Sequence, residues 1–449
     1  MSASTPIVPH AAAFSEPTGK SGPTGGSRPA GGSGPTGGSG TDKRARDPRL
    51  DFFRGLAMFV IFIAHVPYDW LALWIPARFG FSDATETFVF CSGMASAIAF
   101  GAVFDRGGWL MGAARIAHRV WQVYWSHIAL FVAVLALLAA LDWHVGGSFV
   151  QGAHANWEGI ARDSYVATLN LARAMEDAPA AFLGLLTLTY VPNYFDILPM
   201  YLVILALVPA VMALSRVSLG AVAAFCVGLW LWANLKLLGL GAHAVDLPAE
   251  PWSDREWFFN PFAWQLVFFT GFAFMRGWLP APPVDRRLVW TAAVIVIATV
   301  PFAYFRVHEA YPSMREIFNA IAPWRDKTDF GVLRYVHFLA TAYLGWVAVG
   351  PMGARIADWG RAQVVVDVIR KVGQQSLAVF LASMFLAQLA GFALDQIGRS
   401  WATMFTVNVA GFALLIATAY GVGWFKSEPW RKRPVPVRAD IPGTVVPAE

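Results

Sequence analysis

Again and again this chain carries apolar runs long enough to cross a lipid bilayer, and that feature constrains its fold more than any other. A spanning helix needs about 20 mostly apolar residues, and in hydrocarbon every backbone amide must find its partner within the protein. About ten such runs are legible, at 50–75, 86–104, 116–141, 195–214, 218–238, 261–278, 288–306, 331–350, 375–397 and 401–425. One further run, AAFLGLLTLTYV at 180–191, is short for a span, and were it to cross, the topology beyond it would reverse. It reads as a re-entrant or interfacial piece ahead of the span that begins near Phe195. Composition agrees: 57% of the 449 residues are hydrophobic and 14% are charged, against roughly 25% charged in a soluble domain. The expected fold class is an all-α polytopic membrane protein of about ten transmembrane helices.

Around that membrane domain, placed at 47–425, lie two tails. Residues 1–46 are rich in Gly, Ser and Pro, with the near-repeat SGPTGGSRPAGGSGPTGGSG. Such a segment buries too little apolar surface to repay its ordering entropy, so disorder is expected. Residues 426–449 form a C-terminal tail. Basic residues set the orientation. With both termini cytoplasmic, KRARDPR, Arg106, Arg115, Arg119, Arg216, Arg276, Arg286, Arg287, Arg355, Arg361, Arg370, Lys371 and WRKRP share the inner side, as the positive-inside rule requires. The formal net charge of +5 is therefore a topology signal. A lipid bilayer, and no nucleic acid, is the expected partner. Cys91 and Cys226 both fall in apolar runs, so neither a disulfide framework nor a metal site is expected. In the long outer loop, Trp157, Ile160, Ala161, Tyr165, Leu169 and Ala172 recur at helical spacing, which predicts a helix lying on the membrane surface.

Ionisable residues inside such runs are the candidates for chemistry, because each is costly at bilayer depth. In RLDFFRGLAMFVIFIAH, Arg54 and His65 stand eleven residues apart, which puts them on one helix face about 16 Å apart. Asp51 joins the same stripe and can pair with Arg54. Pro67 should kink or end the helix. A neutral histidine suits a general base for a hydroxyl nucleophile, and an arginine suits a phosphate-rich ligand. Taken singly, Arg54 also fits a residue that snorkels to the headgroups, and His65 a histidine bonded to a neighbouring helix. In SDATETFVFCSGMASA, Asp83 and Glu86 fit a helix cap. Both also lie at the end towards which His65 points, where they could orient it or meet a sugar hydroxyl. Arg115 and Arg119 share a face at the start of the third span and offer a second cationic wall. His127 and His337 are lesser candidates, each expected to bond a neighbouring helix.

Four phrases in order, LDFFRGLAMFVIFIAH, SDATETFVFCSGMASA, PNYFDILPMYLVILALVP and LRYVHFLATAYL, resemble the OpgC family. Those proteins are membrane succinyltransferases of osmoregulated periplasmic glucans, related to the type 3 membrane acyltransferases. The wider superfamily's first-span pattern, a basic residue, ten residues and a histidine, is matched by Arg54 and His65. Its paired basic residues at the third span are matched loosely by Arg115 and Arg119. The Gly/Ser/Pro tail departs from the family but lies outside the matched phrases. The resemblance implies a multi-pass protein of the bacterial inner membrane, with acyl-CoA (succinyl-CoA) as cytoplasmic donor, a periplasmic glucan as acceptor and no permanently bound cofactor. A transporter or flippase would equally carry a polar line through its bundle. The sequence shows no internal repeat, and its polar residues crowd into the first three spans, which favours an enzyme. An acyltransferase of different acyl group or acceptor fits the same residues.

Overall fold

The computed structural model describes residues 47–146 and 164–431. Among them the regular structure is helical, with an isolated bridge between Pro248 and Glu256. The helices that matter below are α1 (Pro48–His65), α2 (Ala84–Ser96), α3 (Ala102–His144), α4 (Ala178–Thr187), α5 (Ile197–Leu214), α6 (Leu219–Ala233), α7 (Pro261–Arg276), α8 (Arg286–Ala303), α9 (Val332–Val349), α10 (Gln363–Gln374), α11 (Ser376–Ile397) and α12 (Trp401–Lys426).

Among the described residues, seven helical stretches are long and apolar enough to cross a membrane. One of them, Ala84–His144, runs for 61 residues and as a single helix would measure about 90 Å, three times the roughly 30 Å of hydrocarbon. It is broken at Gly108, whose φ of 76° and ψ of 177° only glycine adopts readily. A π-helical turn at Ala97–Gly101 precedes the break. Helix α1 stands apart through its charges, Arg49, Asp51 and Arg54, and α7 through its 16-residue length.

Several local features differ from the sequence reading. The first run stops being helical at His65, where Val66 caps the helix and Pro67 follows. The rest of 50–75 is a turn and a short 3-10 helix, Trp70–Leu73. The run at 180–191 forms only the 10-residue α4, closed by Leu188 in left-handed backbone. That helix is about 15 Å long, half the hydrocarbon thickness. The surface helix expected over 157–172 does not form as one unit. Its first residues, 157–163, lie outside the described residues. Beyond them Tyr165–Thr168 and Ala172–Glu176 are separate helices, divided at Asn170 with φ of 59°. Tyr165, Leu169 and Leu171 are buried, so this segment packs into the protein instead of lying on lipid.

Helix α10 was not read from sequence, yet it packs closely on α1. A Cβ at Gly373 would stand 1.9 Å from the Asp51 carbonyl oxygen, and one at Gly55 would stand 2.0 Å from that of Ile369. Small residues allow this approach, which holds helices together where lipid removes the usual hydrophobic drive. Inside the bundle Phe62, Trp264, Phe268 and Phe272 are fully buried, whereas Val294, Ile297 and Phe405 face outward, as lipid-facing side chains do.

Contacts between helix ends define two ends of the bundle. At the first, Arg54 bonds Ser376 at the start of α11, and Lys426 Nζ at the end of α12 donates to Gln375 Oε1 at 2.7 Å. Arg276 at the end of α7 reaches Asp105 at 2.8 and 3.0 Å. Tyr343 of α9 donates to the Pro283 carbonyl before α8 at 2.9 Å. At the opposite end His65 meets Tyr194 before α5, and Lys327 and Arg334 at the start of α9 meet Asp83 before α2. There too Trp230 Nε1 of α6 donates to the Phe330 carbonyl at 2.9 Å, and Arg399 Nη1, between α11 and α12, donates to that of Pro67 at 2.9 Å.

Candidate functional site

At the first end, Arg54, Arg115, Arg119 and Lys426 line one cavity of about 470 Å³. Tyr201, Ser96 and Gln122 share its wall, and among the described residues no carboxylate lines it. Local structure brings these groups together. Arg115 and Arg119 are one helical turn apart, beyond the break at Gly108. Ala99 and Phe100, also in the lining, sit on the π-helical turn, a feature frequent at functional sites. Arg115 lies 6.0 Å from the Phe100 ring centroid and its Nη1 is 3.2 Å from His118 Nδ1. Arg119 Nη1 donates to Gln122 Oε1 at 3.3 Å. Tyr201 and Ser96 place their hydroxyls 3.5 Å apart. A cavity with this lining attracts polyanions, and arginine matches phosphate oxygens bidentately. Asp51, one turn before Arg54, is buried and does not line the cavity.

His65 lies at the other end of α1, half-buried. Its Nδ1 is 2.6 Å from the Ile61 carbonyl oxygen. A carbonyl only accepts, so Nδ1 carries the proton and the neutral ring presents Nε2 as its acceptor. The ring of Tyr194 stands against the imidazole at 5.0 Å in an edge-on arrangement.

Asp83 and Glu86 form a reciprocal helix cap. Asp83 Oδ1 accepts from the Thr85 amide at 2.7 Å, and Glu86 Oε2 accepts from the Asp83 amide at 2.7 Å. Their remaining oxygens meet cations. Lys327 Nζ is 2.6 Å and Arg334 Nη2 is 3.2 Å from Asp83 Oδ2, while Arg334 Nε donates to Glu86. Burial alone would raise the Asp83 pKa, but Lys327 and Arg334 outweigh it and hold the carboxyl well below the usual carboxylate range. Glu86 is fully buried. Among the described residues neither carboxylate hydrogen-bonds His65, although the charges of Lys327 and Asp83 reach it.

The two lesser histidines part company. His337 Nδ1 accepts from the Ser82 amide at 3.2 Å and is 2.7 Å from the Ser82 hydroxyl, so it ties α9 to the segment leading into α2. His127 was expected to bond a neighbouring helix, but it is fully buried and neither ring nitrogen has a partner among the described residues. Phe195 packs against it at 6.4 Å; a ring face offers no strong acceptor. Cys91 and Cys226 are buried and unbridged, and no cluster fit for a metal occurs among the described residues.

The candidates thus fall into two groups. Arg54, Arg115 and Arg119 meet in the cavity; His65, Asp83, Glu86 and His337 gather at the opposite end, and His65 is not among the cavity's lining residues. Sequence reasoning missed Lys426, Tyr201, Tyr194, Lys327 and Arg334. Arg334 carried a usable signal, an ionisable residue at the head of an apolar run. The two tyrosines lie in PNYFDILPMYLVILALVP, but aromatics are too common in a membrane protein to stand out. A family model described as OpgC protein matches residues 46–427. No curated protein and no solved structure gives a match.

Proposed function

The chain belongs to the OpgC protein family, and from that membership and the two-ended site we propose a membrane O-acyltransferase that moves a succinyl group from cytoplasmic succinyl-CoA to hydroxyls of periplasmic glucans. Family membership supports an acyltransferase-like role in glucan modification. The observation that carries the finer reading is the meeting of Arg54, Arg115, Arg119 and Lys426 around one cavity, with no carboxylate in its lining among the described residues. Coenzyme A is a phosphate-rich anion, which four cations around one cavity would complement.

In this reading the cavity end faces the cytoplasm of a bacterial inner membrane and both termini lie on that side. About ten crossings follow when Ala84–His144 is divided at Gly108 and α1 and α7 are added to the other apolar helices. The coenzyme A phosphates dock at the arginines, and the pantetheine arm runs inward along α1 towards His65. An acceptor hydroxyl oxygen then attacks the thioester carbonyl carbon while His65 Nε2 takes its proton. Collapse of the tetrahedral intermediate breaks the C–S bond, and the departing thiolate recovers that proton from Nε2. The Ile61 carbonyl holds Nδ1–H throughout and fixes which nitrogen does the work. No bound cofactor is needed for these steps.

Arg54→Ala or Arg115→Ala tests the donor side. Each removes a charge-assisted contact worth roughly 1.5–3 kcal/mol, so half-maximal transfer should need roughly ten- to a hundredfold more succinyl-CoA. Loss of turnover with donor affinity unchanged in both variants would contradict the assignment and favour a transport role.

A further inference from the structure

Two turns at the histidine end share one design. Val66-Pro67-Tyr68-Asp69 leaves α1, and Val191-Pro192-Asn193-Tyr194-Phe195-Asp196 enters α5. In each, the tyrosine holds left-handed backbone, with φ of 56° at Tyr68 and 70° at Tyr194. A residue with a Cβ adopts that conformation only where its surroundings impose it.

Those surroundings match as well. In each turn an arginine grips the residues around the proline. Arg399 Nη1 donates to the Pro67 carbonyl at 2.9 Å while its Nη2 donates to Asp395 at 2.6 Å. Arg255 Nη2 donates to the Val191 carbonyl at 2.7 Å and Nη1 to Asn193 Oδ1 at 3.3 Å. In each turn a buried aspartate then closes the structure. Asp69 accepts from the Leu71 amide at 2.9 Å and from Asn408 Nδ2 at 2.7 Å. Asp196 accepts from the Phe258 amide at 3.2 Å.

The result is a pair of fixed, outward-facing rings. Tyr68 is 48% and Tyr194 44% exposed. Tyr194 stands edge-on to His65 at 5.0 Å, and Tyr68, three residues beyond that histidine, has the Arg399 guanidinium 6.0 Å from its ring centroid. An interfacial belt accounts for many exposed aromatics in a membrane protein. It does not require strained backbone at two positions, nor a tyrosine ring set edge-on to a histidine.

The chemistry of a tyrosine ring suggests the ligand. It offers a flat apolar face with a polar edge, which complements a sugar ring: C–H groups on the faces, hydroxyls on the rim. We propose that Tyr68 and Tyr194 form the acceptor subsite, holding a pyranose ring so that one of its hydroxyls meets His65 Nε2. The inference rests on the acyl-transfer reading and names the residues that select a saccharide.

The test is binding of a glucose oligosaccharide to the full-length protein in detergent, followed by calorimetry, beside Tyr68→Ala, Tyr194→Ala, Tyr194→Phe and Tyr194→Gly. Wild type should bind saturably, and each alanine variant about tenfold more weakly. Tyr194→Phe should bind as wild type, because the ring and not the hydroxyl makes the contact. Tyr194→Gly removes the ring while relieving the backbone, so weak binding without loss of thermal stability separates contact from fold. In transfer assays KM for the saccharide should rise while kcat and donor half-saturation hold. Wild-type affinity in both alanine variants, or no saccharide binding by wild type, would overturn the subsite. Succinyl-CoA binding in the same preparations reports on the acyl-transfer reading separately.

Discussion

His65 presents its unprotonated nitrogen because the Ile61 carbonyl occupies the other one, so the proposed role as base is open to a narrow substitution. His65→Gln keeps bulk and hydrogen bonding and removes basicity. In protein shown to be inserted and able to bind donor, transfer should fall about 10²–10⁴-fold. Near-normal transfer would leave His65 a structural residue. Arg334 makes a different prediction, about stability. It is the cation bonded to the fully buried Glu86. Arg334→Met should therefore destabilise the protein by about 3–5 kcal/mol, read as a lower unfolding temperature in detergent, while Arg334→Lys recovers part of it. Asp83 supplies a pH signature. Its folded pKa is depressed, so its contribution is complete above the unfolded value and is lost only as pH falls through the folded one. The stability gap between wild type and Asp83→Asn should hold from neutrality to about pH 4 and close below it. A gap that closes between about pH 5 and 6 would contradict the ion-paired assignment. At this scale Arg54 and His65 were legible because charge stands out in an apolar run. The pairing of Arg334 with Glu86 was not, because 248 residues separate them and spacing along a helix says nothing across that distance.

Among the elements, the apolar runs gave the helices of the bundle, since a bilayer imposes length and composition at once. Less visible were the places where backbone departs from a helix: the π-helical turn at Ala97–Gly101, the break at Gly108 and the left-handed closure of α4. They depend on packing that no periodicity records. Helix α10 was missed for the related reason that 12 amphipathic residues are too few to read as a span. Its contact with α1 is nevertheless what backs Arg54. Gly373→Ala would set a methyl 1.9 Å from the Asp51 carbonyl, and overpacking of this kind costs about 1–3 kcal/mol. The variant should melt earlier and also bind succinyl-CoA more weakly, because displacement of α1 moves Arg54. Unchanged melting and donor titration would show that the two helices are less tightly coupled than their backbones suggest.

For the molecule as a whole, the site has two ends, and its residues separate cleanly between them. The basic cavity lies at the end where α7 and α12 finish, and His65 at the end where Asp83, Tyr194 and Lys327 meet. The proposed orientation makes a prediction about sidedness. In a Cys91→Ala, Cys226→Ala background, single cysteines at 285–287 should label from the cytoplasmic side and those at 250–256 from the other side. Labelling of both segments from one side would break the alternation of helices on which the two-ended account depends. The central claim, that an acyl group enters at one end and leaves at the other, is tested most directly in proteoliposomes of known orientation. Succinyl-CoA is placed on the side of Arg54, Arg119 and Lys426, and a glucose oligosaccharide on the side of His65; mass spectrometry then reads the saccharide. The account predicts succinyl esters on the saccharide in that arrangement and none when donor and acceptor exchange sides. Ester formation only when both substrates share one side, or equally in either arrangement, would contradict it.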